Sequence, residues 1–421
     1  MENTVKNAIR DRVYPFVLFF ISPVLTLVLA FKEYKSNWAM NIFWLFVAYF
    51  TANISRIEPA WDISRYIASF EEMYKMNMSF VHFVTETFET SADFIQPLIN
   101  FLVSKITGNY RVLLAVYGLV YGFFYSRNVF TFLGLFRGEL NRVTVFLVVS
   151  ASFIIGVMEV NGFRYYSATH IFIYGVAEYF IYKRKRSGWL FVMITPLMHF
   201  SFFVNVAFFA VGVILMKNQL RLAMILFVLS NFASNLGVEK LLPQEAMPEK
   251  YQSKYKSYVG KDRIDYAKSQ EQSYELNGYV GWPKQYANYF LYGTLILLYL
   301  CIFYWREEVP DKEMLAAALL MGALANVAAS NSASGARLIN IYYLFLYLYL
   351  FKIKDYLFKN SFYYKILNIY SFFFLLPLVV LIRTLFDYLG FATFFGGPFV
   401  RFLFNEDTPI IDGFKAVFPS F

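Results

Sequence analysis

Apolar runs of roughly membrane-spanning length, parted by short polar loops, constrain this chain more than any other feature. They lie near residues 13–31, 38–54, 110–126, 143–160, 163–182, 188–216, 221–237, 286–304, 314–330, 336–351 and 366–386. A helix rises 1.5 Å per residue, so about 20 mostly apolar residues cross the roughly 30 Å hydrocarbon layer. The pattern predicts an all-α polytopic integral membrane protein. The run at 188–216 is about 29 residues, long for one span. It contains Thr195-Pro196 and His199, and a split at about residue 203 gives two short spans and about 12 transmembrane helices in total. One long tilted helix there would reverse the parity of everything before or after it.

Composition points the same way. Of 421 residues, 58% are hydrophobic and 16% charged, against about 45–50% and 25% in soluble domains. This argues against a soluble enzyme. The net charge of +9 comes from 38 Lys and Arg against 29 Asp and Glu, scattered over short loops, which argues against a nucleic-acid binder. Cys301 is the one cysteine, so no intrachain disulfide and no Cys-rich metal site is expected. The first run ends in Phe31-Lys32-Glu33-Tyr34 with no small-x-small cleavage site, so the first span is expected to stay as an anchor.

Basic residues in short loops set orientation, and Lys183-Arg184-Lys185-Arg186 is the clearest cytoplasmic marker. With twelve spans, the loops carrying Lys32/Lys35, Arg127/Arg137/Arg142, Lys217/Arg221, Arg306/Lys312 and Lys352/Lys354/Lys359/Lys365 share that side. Both termini then lie outside, against which Lys6, Arg10 and Arg12 count. Residues 1–421 read as a single membrane domain with three outer regions. Residues 55–109 form an acidic outer loop whose stretch 94–107 is too short to span and reads as an interfacial or re-entrant half-helix. Residues 238–284 form one long polar outer loop, and 387–421 an outer C-terminal tail. Gly118-x-x-x-Gly122 and Gly134-x-x-x-Gly138 fit close helix packing.

The sequence has no Walker-type glycine loop, no Gly-x-Ser-x-Gly, no His-Glu-x-x-His and no Asp-x-Asp pair. His82, His170 and His199 are dispersed, so no metal and no cofactor is expected. Attention passes to charges in or beside spans, which cost roughly 2.5–3.5 kcal/mol each and are functional candidates by default. Arg164 follows Asn161-Gly162 at a span's outer end, as an anion site or a snorkelling arginine. His199 stands in Leu197-Met198-His199-Phe200-Ser201, as a proton acceptor, a donor to phosphate or a hydrogen-bonded core histidine. Arg337 follows the small, polar Ser330-Asn331-Ser332-Ala333-Ser334-Gly335, where a fork-shaped guanidinium would meet an anion. Asp62 and Tyr66, four apart, share a helix face. All four sites fall on the outer side, and two arginines there suggest a lipid-linked phosphate or pyrophosphate.

In order and spacing, these features resemble the EpsG-type branch of the Wzy oligosaccharide repeat-unit polymerases over most of residues 40–351. The resemblance rests on Asp62 and Tyr66, on Asp93-Phe94-Ile95-Gln96-Pro97-Leu98 and on Gly108-Asn109-Tyr110-Arg111. It continues through Asn161 to Arg164, a basic turn, His199 to Ser201, and Arg337 ahead of Tyr342-Tyr343. The chain departs from the family at Ala60-Trp61-Asp62-Ile63, often Gly-Thr-Asp-Tyr, at Arg164-Tyr165, often Arg-Gln, and at Gln96, where a glutamate is expected.

The resemblance implies a metal-independent membrane glycosyltransferase in the bacterial cytoplasmic (inner) membrane. It would move a glycan from undecaprenyl pyrophosphate to the non-reducing end of a lipid-linked acceptor unit, at the outer face. Arg164 and Arg337 would stabilise the leaving pyrophosphate. His199, with an unperturbed pKa near 6.5, or its rival Asp62 would take the acceptor's proton. Tyr66, Arg65, Asn161, Tyr165, Ser201 and Asn331 are assigned to substrate binding. Tyr251, Tyr255 and Tyr258 at helical spacing would either stack on sugars or pack an amphipathic helix. Expected partners are the undecaprenyl-pyrophosphate-linked oligosaccharide, membrane lipid, a chain-length regulator and a flippase, with no nucleic acid. The product is left open between O-antigen, capsule and exopolysaccharide. Two rival readings are a lipid-linked oligosaccharide flippase or transporter, and a membrane-bound acyltransferase built on His170 with Glu178.

Overall fold

The structure is a computed structural model that describes the chain except residues 1–12, 58, 60, 92, 137–140, 233–281, 300–307, 332–334, 360, 374, 404–406 and 418–421. The expected outer loop up to residue 281, with Tyr251, Tyr255 and Tyr258, lies outside the described residues, as do Gly138 and Cys301. Among the described residues the regular structure is helical and no strand forms.

The first apolar run is two helices, α1 (Tyr14–Ile21) and α2 (Pro23–Lys32). Pro23 cannot donate to the preceding turn, and the Ser22 hydroxyl instead accepts from Leu25 N–H at 3.4 Å, which restarts the helix. α3 (Asn37–Ala52) follows. The segment 55–109 holds three short helices, α4 (Asp62–Lys75), α5 (Phe80–Thr90) and α6 (Ile95–Ser104). Next come α7 (Tyr110–Leu135), α8 (Arg142–Ile154), a 3-10 turn at Val157–Gly162 and α9 (Phe163–Phe180). The run at 188–216 divides into α10 (Lys185–Met198) and α11 (Phe202–Ile214), breaking at residues 199–201 rather than at 203, just beyond Pro196. α12 (Leu220–Ser230), α13 (Trp282–Tyr299), α14 (Lys312–Asn331), α15 (Gly335–Lys352), α16 (Lys354–Lys359), α17 (Ser361–Phe373) and α18 (Leu375–Phe386) complete the bundle. The tail forms α19 (Phe391–Phe395), α20 (Pro398–Leu403) and α21 (Ile410–Val417).

The described residues are those of a helical membrane protein. Among the described residues three helical stretches are long and apolar enough to cross a bilayer, Tyr110–Leu135, Arg142–Phe180 and Tyr363–Phe386. By length and hydropathy the described residues mark these three stretches, of which Arg142–Phe180 comprises two helices, α8 and α9. α10, α11 and α12 have 14, 13 and 11 residues, about 16–21 Å at 1.5 Å per residue.

Side-chain contacts fix the helix directions. Tyr117 stacks on Phe163 at 4.0 Å, and further along Thr131 Oγ1 meets the Tyr182 hydroxyl at 3.0 Å, so α7 and α9 run parallel. Tyr121 donates to Gly156 O at 2.5 Å and Tyr125 to Ser152 O at 3.0 Å, so α8 runs the other way. The 3-10 turn thus reverses the chain within the stretch Arg142–Phe180. α15 runs parallel to α9: Arg337 lies over the Tyr165 ring, 5.5 Å from its centroid, and Lys352 donates to Phe180 O at 3.1 Å. The loops with Lys35, Arg142, Lys183, Lys217 and Lys352 gather at one end of the bundle. Arg164, His199 and Arg337 lie at the other.

Two close approaches set this packing. On α7, a Cβ at Gly118 would lie 2.7 Å from Ala48 Cα, and one at Gly122 2.8 Å from Val47 Cβ, so α3 and α7 touch backbone to backbone. Gly175 and Gly188 do the same for α9 and α10, where a Cβ on either would meet the other's carbonyl oxygen at 2.9 or 2.8 Å. Gly134, expected in a similar role, has nothing within 4 Å of its would-be Cβ.

The tail returns to the start of the bundle. Gly397 sits against the backbone of Phe20 and Ile21 with no room for a side chain. Ser55 donates to Tyr388 O through both its N–H (3.0 Å) and its hydroxyl (2.8 Å), the Tyr388 ring lies 5.0 Å from Trp61, and Arg56 pairs with Asp412 at 2.7 Å.

Candidate functional site

The first turn of α9 organises one end of the molecule, because successive residues on a helix point about 100° apart. Phe163 fixes the helix's rotation by stacking on Tyr117. Arg164, Tyr165 and Tyr166 then face three different neighbours.

Arg164 reaches the 55–109 segment. Its Nη1 donates to Asp93 Oδ2 at 2.8 Å, its Nε donates to the Tyr66 hydroxyl at 3.0 Å, and its guanidinium carbon lies 5.2 Å from the Tyr66 ring centre. Asp93 is the buried member: its side chain is 1% exposed against 28% for Arg164. Its other oxygen, Oδ1, accepts from Phe200 N–H at 2.8 Å. One carboxylate therefore ties Arg164 to the His199–Ser201 turn. Asp93 can hold this place because Pro97, in the first turn of α6 where its missing N–H costs nothing, starts the helix just beyond it.

A chain of buried amides supports Tyr66. Gln96 Nε2 donates to the Tyr117 hydroxyl at 2.9 Å, Tyr117 donates to Asn100 Oδ1, and Asn100 Nδ2 donates to Tyr66 O at 3.0 Å. Leaving such groups unpaired costs about 1–3 kcal/mol each, so the network fixes α4 and α6 against α7.

Tyr165 joins the two remaining charged candidates. Its ring meets the His199 ring edge-on at 5.2 Å, and Arg337 lies over its face. The His199 Nδ1 lies 2.8 Å from Ser201 Oγ and accepts from Ser201 N–H at 3.3 Å. Tyr166 faces the Glu159 carboxylate on the 3-10 turn, with Arg337 nearby.

The structure thus connects Tyr66, Arg164, Tyr165, His199, Ser201 and Arg337. Three other assigned residues have local duties. Asp62 pairs with Arg65 on the first turn of α4, and the Arg65 side chain is 70% exposed. Asn161 Oδ1 accepts from Ile63 N–H at 3.3 Å, satisfying an amide that the helix start leaves open. Asn331 is the last residue of α14, and its side chain lies outside the described residues. Sequence reasoning left Asp93, Gln96, Asn100, Tyr117 and Glu159 out of the site. Asp93 and Gln96 did stand in the quoted segment ahead of Pro97.

The acyltransferase pairing is not made. His170 Nε2 lies 3.1 Å from the Tyr121 hydroxyl, and Asn128 Nδ2 lies 3.3 Å from its Nδ1, while Glu178 pairs with Arg184 at 3.4 Å. Among the described residues no three His, Cys, Asp or Glu side chains group as metal ligands.

No curated protein and no solved structure matches the chain. A family model does match, from residue 37 at the start of α3 to residue 395 at the end of α19, and the match takes in the whole cluster: the chain belongs to the EpsG family.

Proposed function

We propose that this protein is a polysaccharide repeat-unit polymerase of the bacterial cytoplasmic membrane, with about twelve crossings. It transfers a glycan from undecaprenyl pyrophosphate to the non-reducing end of a lipid-linked acceptor. The observation that carries the reading is the convergence of Arg164, Arg337 and His199, from three separate segments, at the end of the bundle opposite its basic loops. By the positive-inside rule those loops face the cytoplasm, so the cluster faces the outer leaflet, where lipid-linked units await assembly. Family membership supports the polysaccharide-polymerase class.

The chemistry follows from the charges. As the bond between the donor sugar and its pyrophosphate breaks, the leaving group gains negative charge. Guanidinium groups held in advance stabilise that charge without reorganising, and one lost donor costs about 100–1000-fold in rate. Asp93 and Tyr66 hold Arg164 in place, and Tyr165 holds Arg337. The acceptor hydroxyl gives up its proton to His199 or Asp62. No metal step enters this scheme.

Deleting the gene in its host and restoring wild type, Arg164→Lys or Arg337→Ala, followed by gel analysis of the surface glycan, tests the reading. A ladder with wild type and a single repeat unit with the deletion and both variants, at matched protein levels, is expected. Lipid-linked units trapped inside the deletion strain would instead identify a flippase. An unchanged ladder would remove the polymerase reading.

A further inference from the structure

The buried chain beside Tyr66 can run in one direction only, and a backbone carbonyl decides which. Tyr66 O only accepts, so Asn100 must turn its amide nitrogen toward it, at 3.0 Å. The Asn100 oxygen then faces the Tyr117 hydroxyl, and because it too only accepts, the Tyr117 proton points at Asn100. The Tyr117 oxygen is left to accept, and Gln96 Nε2 donates to it at 2.9 Å. Position 96 must therefore supply a donor. Gln96, Asn100 and Tyr117 are all buried, so bulk water does not make up a lost bond. Tyr117 carries this order to Arg164. Its ring stacks on Phe163, the residue before Arg164, at 4.0 Å, and meets the Tyr66 ring edge-on at 6.1 Å. Tyr66 in turn accepts from Arg164 Nε at 3.0 Å, and its ring centre lies 5.2 Å from the guanidinium carbon.

We infer that Gln96 is a positioning residue of the transfer step and works as an uncharged hydrogen-bond donor. By donating to Tyr117 it keeps the Tyr117 proton on Asn100 and, through Tyr66 and Phe163, keeps Arg164 aimed at the leaving diphosphate. The inference rests on the polymerase reading, and Gln96 itself touches no substrate in it. An ionised carboxylate at position 96 would draw the Tyr117 proton to itself. Asn100 Oδ1 would then lose its donor. The Asn100 amide could not turn over to compensate, because its oxygen would be set against Tyr66 O.

Gln96→Glu keeps the side chain's shape and makes donation depend on pH: the neutral acid donates as Gln does, and the carboxylate does not. Around position 96 stand Tyr117 from α7, Tyr66 from α4 and Asp93 one turn earlier, and beyond Asp93 come Arg164 from α9 and His199 after α10. All are common to variant and wild type, so the ratio of the two isolates position 96. Purified full-length protein in liposomes, supplied with a diphosphate-linked repeat unit, is the assay. At about pH 8 the kcat of Gln96→Glu is expected to lie about 100-fold below wild type, as for a catalytic group misplaced by about 1 Å, with KM little changed. By about pH 5.5 the ratio should recover about tenfold or more, since burial favours the neutral acid. A Glu variant that matches wild type throughout overturns the assignment, as does a ratio that stays low at acid pH. Wild type that makes no polymer removes the polymerase reading instead. The direction of the chain has its own test in thermal unfolding of the detergent-solubilised protein. In an Asn100→Leu background the Tyr117 proton is released to the carboxylate, so the cost of Glu relative to Gln at about pH 8 should largely disappear. An equal cost with and without Asn100 overturns the inference whether or not polymer forms.

Discussion

Removing either side of the Asp93–Arg164 pair leaves a different group behind. Without Arg164, a carboxylate whose side chain is 1% exposed has lost its countercharge. Without Asp93, a guanidinium that is 28% exposed still reaches water. Removing one partner of a buried pair costs about 3–5 kcal/mol when the other cannot be solvated. Arg164→Ala is therefore expected to destabilise by about that amount, and Asp93→Ala by about 1–3 kcal/mol, mainly through the lost bond to Phe200. Thermal unfolding of the detergent-solubilised variants measures the difference, and equal losses would contradict the asymmetry. This scale also shows what could be read in advance. Arg164, His199 and Arg337 stood out because a charge or a titratable ring is expensive beside apolar residues. Asp93 did not, because it ends a segment already rich in acidic residues. Its importance depends on Phe200, 107 positions away, which no local pattern encodes.

Among the elements, the contact between α3 and α7 is the most exacting. Gly118 and Gly122 leave no room for a methyl group, while Gly134 on the same helix has open space. Gly122→Val is expected to cost about 1–3 kcal/mol or more through overpacking, and to lower the amount of folded protein recovered from membranes. Gly134→Val should change that yield little, and equal yields would show that α3 and α7 do not meet this closely. Both glycine pairs matched the same four-residue spacing in the sequence. Spacing defines a helix face but not whether a partner lies against it, so Gly118 and Gly122 meet α3 while Gly134 meets nothing, and Gly138 lies outside the described residues. Helix existence followed from the apolar runs. Helix length did not, because Ser22-Pro23 and the turn after Pro196 end backbone ladders inside runs that hydropathy alone joins.

Across the whole molecule, charge and chemistry are segregated. The basic loops lie at one end and the arginine–histidine cluster at the other, although the loops are spread from residue 32 to residue 365. This separation was legible in the sequence, since alternating spans send every second loop to the same side. The grouping of the cluster residues was not, because it depends on how α4, α6, α9 and α15 pack. Single cysteines in a Cys301→Ala background test the orientation. Lys75→Cys, exposed at the end of α4, should react with an impermeant thiol reagent added to intact spheroplasts. Lys217→Cys, exposed between α11 and α12, should react only after permeabilisation. The opposite pattern would place the cluster in the cytoplasm.

The return of the tail has a consequence in time. Tyr388 and Asp412 are synthesised after every residue of the cluster, yet they brace Ser55, Arg56 and Trp61, directly ahead of the helix that carries Tyr66. A nascent chain can hold all of its catalytic candidates and still lack the support on which α4 rests. Translation must pass residue 412 before that support is complete, so a ribosome stalled in α18 carries an unfinished site.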